Sequence, residues 1–391
     1  MSGSKDWHGK NLASYKLDIS NRLPPGTEDI DQLTEDARQP RLPAKLKRPL
    51  PEWPPVSQRK GKWISRYFDQ LDPETEYDQL IRTANFFTGT SFAVAIGYCS
   101  TFIHLTQTPA GAAAIHSTGK SWRVPHQRFY ETQNRFLDWM WYGSGSQETK
   151  DSIEAVNKLH AGLWRRLPGT FSTPWEGQMS VIGSAYFETF LRKLAGARNQ
   201  EPHPHLAAAW PIWAERVLAQ FNTEPLDGSW NYGVNFPRNW EELEAFYKWY
   251  QELPFDQWTS VDDRKKGHKL AVAFIEEFST CWFPRQLRWL GRQVLLTVVT
   301  PKVRDQQQIG HPNPIIERFV KLGFKIMFDL TDILPDPTKP DLLEEYQAVK
   351  NWEWHKIDDK VNDSWKRHSR HIDIAFATCI ILLAAFVLAW G

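Results

Sequence analysis

The chain has 391 residues, enough for one large or two ordinary domains with a substantial core. Lysine and arginine (47) nearly balance aspartate and glutamate (46), and the net charge of +1 leaves none of the basic footprint that nucleic-acid-binding proteins carry. The three cysteines, Cys99, Cys281 and Cys379, lie far apart without a CxxC pair, which argues against a disulfide framework or a structural zinc site and fits a reducing compartment.

The first 60 residues are rich in proline and charge, as in RLPPGTED and PLPEWPPVSQRKGK, and show no sustained hydrophobic period. This composition favours an extended arm or a wrapping segment over a packed element. The stretch MSGSKDWHGKNLASYKL at its start has no apolar core, so a secretory signal is not expected.

From residue 61 to about 345 the hydrophobic pattern is helical almost throughout, without a run of alternating strands or a repeat of fixed period. The sequence therefore predicts a single large all-α domain over 61–345. Within it, residues 83–119 contain no Asp, Glu, Lys or Arg. A second membrane span fits that length, but Thr, Ser, Gly, Asn and His interrupt the segment so often that a buried central helix pair is favoured.

Three linked helices follow, and the first, predicted over 125–143, carries Arg128 and Thr132. Their i, i+4 spacing places the two side chains next to each other, at the border of the apolar face. A guanidinium beside a hydroxyl can bind a carboxylate. The alternative is an arginine at the helix edge that pairs with Glu131 or a neighbouring acid.

The second helix carries His160 inside an apolar stripe and is predicted to begin at a Ser144/Gln147 capping box. The stripe consists of Ile153, Val156, Leu159, Leu163 and Trp164. Two interpretations fit an imidazole there. One is a neutral core histidine that donates one ring hydrogen to a carbonyl. The other is a ligand, since neutral imidazole is the commonest protein donor to a metal or haem iron.

The third helix is predicted to begin at TPWEG, where Thr173 caps, Pro174 fits the first turn and Glu176 completes the capping box. Its predicted buried side consists of Met179, Ile182, Tyr186, Phe187, Phe190 and Leu194.

The C-terminal part divides into a polar helix or linker over 346–371 and an uncharged apolar segment within 372–391. Residues 374–390 would span roughly 26 Å as a helix, close to the ~30 Å hydrocarbon core of a bilayer. The basic stretch KRHSRH at 366–371 precedes this segment and is expected on the cytosolic side. We therefore expect a single-pass C-terminal membrane anchor with a cytosolic body; a packed terminal helix is the alternative.

The pattern R-x-x-x-T on one helix, followed 28 residues later by a histidine in an apolar helix, resembles one known family. This is the catalytic domain shared by the rubber oxygenases (latex clearing proteins) and the fungal endoplasmic-reticulum-bound oxygenases of the mpaB type. The similarity is carried by RFYETQNRFLDWMWYG, by VNKLHAGLWRRLPGTFS and by the helix after TPWEG. It continues through FPRQLRWLGRQVLLTVVTPKVRDQQQIGHPNP and covers roughly residues 65–335.

The resemblance implies an all-α haem b protein in which the histidine matching His160 is the proximal iron ligand. Residues matching Arg128 and Thr132 line the haem pocket, and characterised members use dioxygen to cleave carbon–carbon double bonds of isoprenoid chains. An endoplasmic-reticulum membrane location and an apolar, isoprenoid- or polyketide-like substrate are therefore expected. No catalytic residue on the distal side can be assigned.

Other catalytic classes find little support in the sequence. It contains no HExxH, GxSxG, GxGxxG or P-loop motif and no Glu-x-x-His pair of the kind found in di-iron bundles. The alternative to an oxygenase is a non-catalytic, membrane-anchored helical protein that binds a lipid or a protein partner.

Overall fold

The computed structural model describes residues 49–167, 170, 174–222, 232, 233 and 236–350. In these ranges the regular elements are helices and no β-strand is formed, which confirms the all-α prediction. The predicted anchor at 372–391, most of the predicted linker and residues 1–48 of the predicted arm lie outside the described residues.

The described helices follow one another with short connections, and proline occupies the first position of several of them. Its fixed φ and missing N–H suit that position. The α-helices are α1 (Trp63–Phe68), α2 (Tyr77–Thr83), α3 (Ser91–Leu105), α4 (Pro109–Thr118), α5 (Lys120–Arg123), α6 (Pro125–Tyr142), α7 (Gln147–Arg166), α8 (Pro174–Ala185), α9 (Phe187–Ala195), α10 (Pro204–Leu218), α11 (Trp240–Glu252), α12 (Phe255–Trp258), α13 (Val261–Trp282), α14 (Arg288–Val298), α15 (Pro301–Gln307), α16 (Pro314–Ile333) and α17 (Asp341–Lys350). A π-helical turn (Ala84–Thr88) continues α2.

Helices α6 and α7 form an antiparallel pair joined by a short turn at 143–146. The predicted capping box at Ser144 is wrong. Ser146 caps α7 by accepting a hydrogen bond from the Thr149 backbone N–H at 3.1 Å. Ser144 is fully buried instead, and its backbone N–H donates to Asp78 Oδ1 at 2.8 Å. The hydrogen bond to the distant Asp78 therefore fixes Ser144, the residue that the local sequence pattern predicted as the cap.

The predicted third helix begins at Pro174 as expected but is divided at Tyr186 into α8 and α9. The predicted cap at Thr173 lies outside the described residues. Met179, Ile182, Tyr186 and Phe187 are buried as predicted, whereas the last two members of the predicted side, Phe190 and Leu194, are half-buried.

Helix α3 lies in the middle of the molecule and packs on α8 and α13. Nearly all of its residues from Ala95 to His104 are buried, as expected for a central helix. Among the described residues, no single helix has the length and apolarity needed to cross a bilayer. One bent pair, Tyr77–Thr88 with Ser91–Leu105 at 111°, meets those two criteria jointly.

The core consists of two hydrophobic clusters, and α6 contributes to both. Trp139 and Leu137 belong to the cluster formed mainly by α1, α2, α8, α10 and α11. Phe129, three turns earlier on the same helix, belongs to the cluster formed mainly by α3, α13 and α14. The part of α6 that carries Arg128 and Thr132 therefore lies at the second cluster, and its C-terminal half lies at the first.

Residues 59–64 and 336–338, here called the terminal clasp, join the two ends of the described chain. Asp336 Oδ2 accepts a hydrogen bond from the Ile64 backbone N–H at 2.9 Å, and the Asp336 backbone N–H donates to the Gly61 carbonyl at 2.9 Å. Trp63 Nε1 donates to the Pro337 carbonyl at 2.8 Å. These hydrogen bonds join residues more than 270 positions apart in the sequence, and so connect the beginning of the helical body to its end.

The predicted boundaries at 60 and 345 both fall in parts of the chain that pack on the body. In the arm, Trp53 packs on Phe87 with ring centroids 5.1 Å apart, and the Arg82 guanidinium lies between the rings of Trp53 and Trp141 at 4.4 and 3.8 Å. At the other end, α17 crosses residue 345, and its Tyr346 is buried.

Helix α16 packs on α9 and α14 with one face and leaves a second, apolar face in solvent. Phe324 and Phe328 are buried on the packed face. The exposed residues, here called the α16 stripe, are each 45–65% exposed; they are Ile315, Phe319, Leu322, Ile326, Met327, Leu330 and Ile333.

Candidate functional site

Arg128 and Thr132 lie together on α6 and face Tyr98 on α3. Burial raises the pKa of the Tyr98 phenol, and the Arg128 guanidinium and the Thr132 hydroxyl beside it offset part of that rise. Both side chains therefore influence the same buried phenol. Tyr98 itself was not singled out from the sequence.

The Arg128 guanidinium is held by aromatic rings. Its central carbon lies 4.9 Å from the ring centroid of Phe102 and 6.0 Å from that of Phe274. The buried Arg128 Nε has no hydrogen-bond partner in the part of the chain that the structure describes. A buried N–H of this kind is costly unless a polar group binds it, so the site is suited to an anionic ligand.

His160 lies on the buried face of α7, as predicted, although one member of the predicted stripe does not. Ile153, Val156 and Leu163 are buried, but Leu159 is 61% exposed. Leu159 precedes His160 by one residue and is therefore about 100° away round the helix, so it points away from the packed face. The buried polar residue beside that face is Asn157, which donates to the Gln220 carbonyl at 2.9 Å.

The imidazole of His160 is held in its neutral form. Burial, and to a smaller extent the nearby Arg135 guanidinium, lower the pKa of His160 to about 4. The residue as a whole is half-buried, whereas its Nδ1 is fully buried. Its ring lies 6.4 Å from the ring of Phe221 between centroids. A neutral imidazole is the protonation state that can donate a lone pair to a metal.

The register of α6 and α7 relates His160 to the arginine–threonine pair. Trp139 Nε1 donates to Ser152 Oγ at 3.1 Å. Counting eight residues from Trp139 towards the start of α6 gives residue 131, and counting eight from Ser152 towards the end of α7 gives His160. His160 therefore lies at the level of residue 131, which is one position before Thr132 and about one turn after Arg128. His160 lies near Phe221 and Arg135, whereas Arg128 and Thr132 lie near residues of α3 and α13.

These residues fit, in the chemistry of their donors, the haem that the family resemblance implies. His160 offers a neutral, buried imidazole. Arg128 offers a cation whose Nε lacks a hydrogen-bond partner among the described residues, as a carboxylate-binding group would before its ligand arrives. The rings of Phe102 and Phe274 lie against the Arg128 guanidinium and limit its access to water, which strengthens such contacts.

Arg128→Ala is expected to reduce haem affinity about 10- to 100-fold, because a hydrogen bond to a charged group contributes about 1.5–3 kcal/mol. Haem titration followed by absorbance checks this. Arg135 is unsuitable as the control, because it donates to the Ser152 carbonyl and lies near His160. Arg165→Ala, an exposed arginine on α7, is better. Equal affinities for the two variants would assign Arg128 a purely structural role.

A second buried imidazole, His104 on α3, escaped the sequence analysis. It is 1% exposed, and its Nδ1 donates to the Ser100 carbonyl at 2.7 Å, so Nε2 carries the lone pair. That Nε2 has no hydrogen-bond partner within the described ranges. The sequence signal was available: His104 lies in the uncharged segment 83–119, where a polar ring is expected to be buried.

His104 should make stability depend on pH. Burial lowers the pKa of His104 to about 4, whereas the unfolded chain titrates near 6.5. Between those values the unfolded state binds more protons, so stability falls as the pH drops from about 6.5 towards 4, by about 2 kcal/mol at pH 5. In His104→Leu, the free energy of unfolding should fall by about 2 kcal/mol less than in the wild type when the pH is lowered from about 6.5 to 5. The exposed His311→Leu should not differ from the wild type in this way, and an unchanged slope for His104→Leu would refute the assignment.

A third group of side chains converges where α3, α6 and α13 meet. His126 Nδ1 lies 2.8 Å from Cys281 Sγ and 3.6 Å from Glu277 Oε1. Cys99 Sγ lies 3.2 Å from Glu277 Oε2. Burial, and then the Glu277 carboxylate, raise the pKa of the Cys99 thiol.

The sequence did not predict this group, because its two cysteines lie far apart in the chain and form no recognisable spacing motif. The one local signal is the i, i+4 spacing of Glu277 and Cys281, which places both on one face of α13. The other two members, Cys99 and His126, come from α3 and α6 and meet them only through the tertiary fold.

The described part of the chain thus contains polar groups at separate places: Arg128 and Thr132 beside Tyr98, His160 beside Phe221, and the group around His126. The first two contain the residues that the oxygenase resemblance assigns to haem. The group around His126 has no counterpart in that resemblance. Neither the protein-family models nor the curated proteins to which the chain was compared gave a match.

Proposed function

We infer that the chain is a membrane-anchored, haem b-dependent oxygenase that acts on an apolar, isoprenoid- or polyketide-like substrate. The observation that carries this inference is His160 on the packed face of α7, whose imidazole is kept neutral by burial. It is supported by the resemblance of the R-x-x-x-T and histidine pattern to the oxygenase family.

In this proposal each protein group has a defined task. Bound haem would supply an iron centre that activates dioxygen. His160 would bind the metal through a ring nitrogen, since burial keeps it unprotonated at neutral pH. Arg128 would neutralise a haem carboxylate, and Thr132 would orient the Tyr98 phenol beside it. Phe102 and Phe274 would keep water away from the guanidinium.

The apolar α16 stripe supports the membrane part of the proposal. Seven large apolar side chains along one face of a 20-residue helix are unusual for a surface in water, and such a helix can lie in the interfacial plane of a bilayer. The chain also carries the apolar segment 374–390, whose expected place is the membrane. A lipid bilayer is therefore the occupant that suits the stripe.

Membrane attachment suits the proposed substrate class. A long hydrocarbon chain partitions into a bilayer, so an enzyme held at the surface meets it at high local concentration. The endoplasmic reticulum is the proposed membrane, on the basis of the resemblance, with the helical body in the cytosol on the basis of the basic stretch at 366–371.

The decisive experiment is the absorbance spectrum of the full chain, purified in detergent from cells supplied with a haem precursor. A Soret band, with about one haem b per chain by pyridine haemochrome assay, is expected. Dioxygen consumption in the presence of an isoprenoid hydrocarbon then tests the reaction. A folded protein that neither retains nor binds added haem would favour the alternative, a non-catalytic lipid- or partner-binding protein.

A further inference from the structure

The group formed by Cys99, His126, Glu277 and Cys281 contains only side chains that can bind a metal. They lie on three helices, α3, α6 and α13, and the Glu277 carboxylate is at the centre, with Cys281 3.7 Å from one oxygen and Cys99 3.2 Å from the other. His126 and Glu277 each have 5% of their side chain exposed, and Cys99 is fully buried. A carboxylate in such surroundings is costly unless it is paired or coordinates a metal.

The distances within the group are close to those of a tetrahedral site. Metal–ligand distances of about 2.0–2.3 Å imply ligand–ligand separations of about 3.3–3.8 Å. His126 Nδ1 to Glu277 Oε1 (3.6 Å) and Cys281 Sγ to Glu277 Oε1 (3.7 Å) lie in that range. His126 Nδ1 to Cys281 Sγ, at 2.8 Å, would need to open by about 0.7 Å. One ring nitrogen, one thiol and one carboxylate therefore already surround a space that a single ion fits.

The donor set selects the kind of metal. Calcium and magnesium prefer six or more oxygen ligands, whereas thiolate and imidazole together favour zinc and other borderline ions. Zinc is bound by these three ligand types in a tetrahedral arrangement.

We propose that His126, Glu277 and Cys281 bind one zinc ion, with Cys99 held against the other oxygen of the Glu277 carboxylate. The wide spacing of the cysteines argued against such a site at the level of sequence. The fold overrides that argument by bringing Cys99 and Cys281, 182 positions apart, to opposite oxygens of one carboxylate.

The site therefore has three protein ligands, and Cys99 on α3 orients the Glu277 carboxylate through its second oxygen. It would tie α3 and α13 to the first turn of α6, two residues before Arg128, and so fix the start of the helix that carries the arginine–threonine pair. This zinc site is independent of the proposed haem function, since it uses none of Arg128, Thr132 and His160.

The test measures zinc and haem separately on the full chain, purified in detergent from zinc-supplemented cells. Elemental analysis should give about one zinc per chain. Cys281→Ser and His126→Gln should each reduce the zinc content at least about tenfold. Cys379→Ser, the matched cysteine control outside the described residues, should retain zinc, and so should His160→Ala. Zinc content in Cys281→Ser and His126→Gln tests this proposal, whereas haem content in His160→Ala tests the haem proposal. A failure of one can therefore be told from a failure of the other.

Replacement of zinc by cobalt gives a second readout that does not depend on a variant folding well. Cobalt(II) in the wild-type chain should show a thiolate charge-transfer band and the strong d–d bands of a tetrahedral site, and both should be absent in Cys281→Ser. Zinc retained by folded Cys281→Ser would overturn the proposal. So would a folded wild-type chain that binds neither zinc nor cobalt, or a Cys99–Cys281 disulfide found by mass spectrometry under non-reducing conditions.

Discussion

His160→Ala should remove most of the haem from the purified protein while the helical far-UV circular dichroism is unchanged. The reason is local: His160 lies on the packed face of α7 with its imidazole held neutral, and alanine offers no replacement donor. Loss of a contact that merely orients a metal ligand already lowers metal affinity 10- to 100-fold, so loss of the ligand itself should lower haem retention by at least about tenfold.

The matched control for this variant is His116→Ala. His116 is also half-buried, lies on α4 and packs on the ring of Trp122 with centroids 4.9 Å apart. It should keep haem at the wild-type level. If His160→Ala retains a full complement of haem, or if both variants lose it equally, His160 is a core histidine and not the iron ligand.

Deletion of residues 372–391 should convert an integral membrane protein into a peripheral one. The full chain should stay in the membrane pellet after a carbonate wash, whereas the shortened chain should be extracted. The shortened chain should nevertheless float with phospholipid vesicles, because the α16 stripe remains. It should also still bind haem, since Arg128 and His160 lie on helices far from the deletion. Carbonate extraction of the full chain would contradict the predicted anchor.

The contribution of the α16 stripe is measured in the shortened chain with Phe319→Glu and Ile326→Glu together. Each side chain is about half exposed, so its transfer into lipid contributes about 1 kcal/mol, and the pair should lower vesicle partitioning roughly 30-fold. The control is Val56→Glu with Val261→Glu, two valines exposed to a similar extent elsewhere. Equal flotation of the two double variants would exclude α16 as a membrane-binding surface.

The features that the sequence predicted correctly are those set by neighbouring residues. Proline at the first helical position marked the starts of α6 and α8, and the i, i+4 rule placed Arg128 beside Thr132. His160 was predicted on a buried face because the apolar period around it is strong. Each of these depends on a few consecutive residues, and no distant partner competes with them.

The features that could not be predicted depend on distant partners. Ser144 does not cap α7, because Asp78, 66 residues away, takes its backbone N–H. Leu159 is exposed because the tertiary packing of α7 is centred on His160 and Asn157. The His126 centre is invisible in the chain because three helices contribute to it. Whether it binds a metal depends on distances of a few tenths of an ångström, which no spacing rule contains.

The terminal clasp has a consequence for how the protein is made. A chain leaves the ribosome from its N-terminus, so Gly61 and Ile64 emerge early, but their hydrogen-bonding partner Asp336 emerges only after more than 270 further residues. Contacts this distant in sequence form late, because the loop between them must be ordered first. Asp336 precedes the apolar segment at 374–390 by fewer than 40 residues. The terminal clasp of the nascent chain can therefore form only shortly before the apolar segment emerges from the ribosome. The two events are coupled in time.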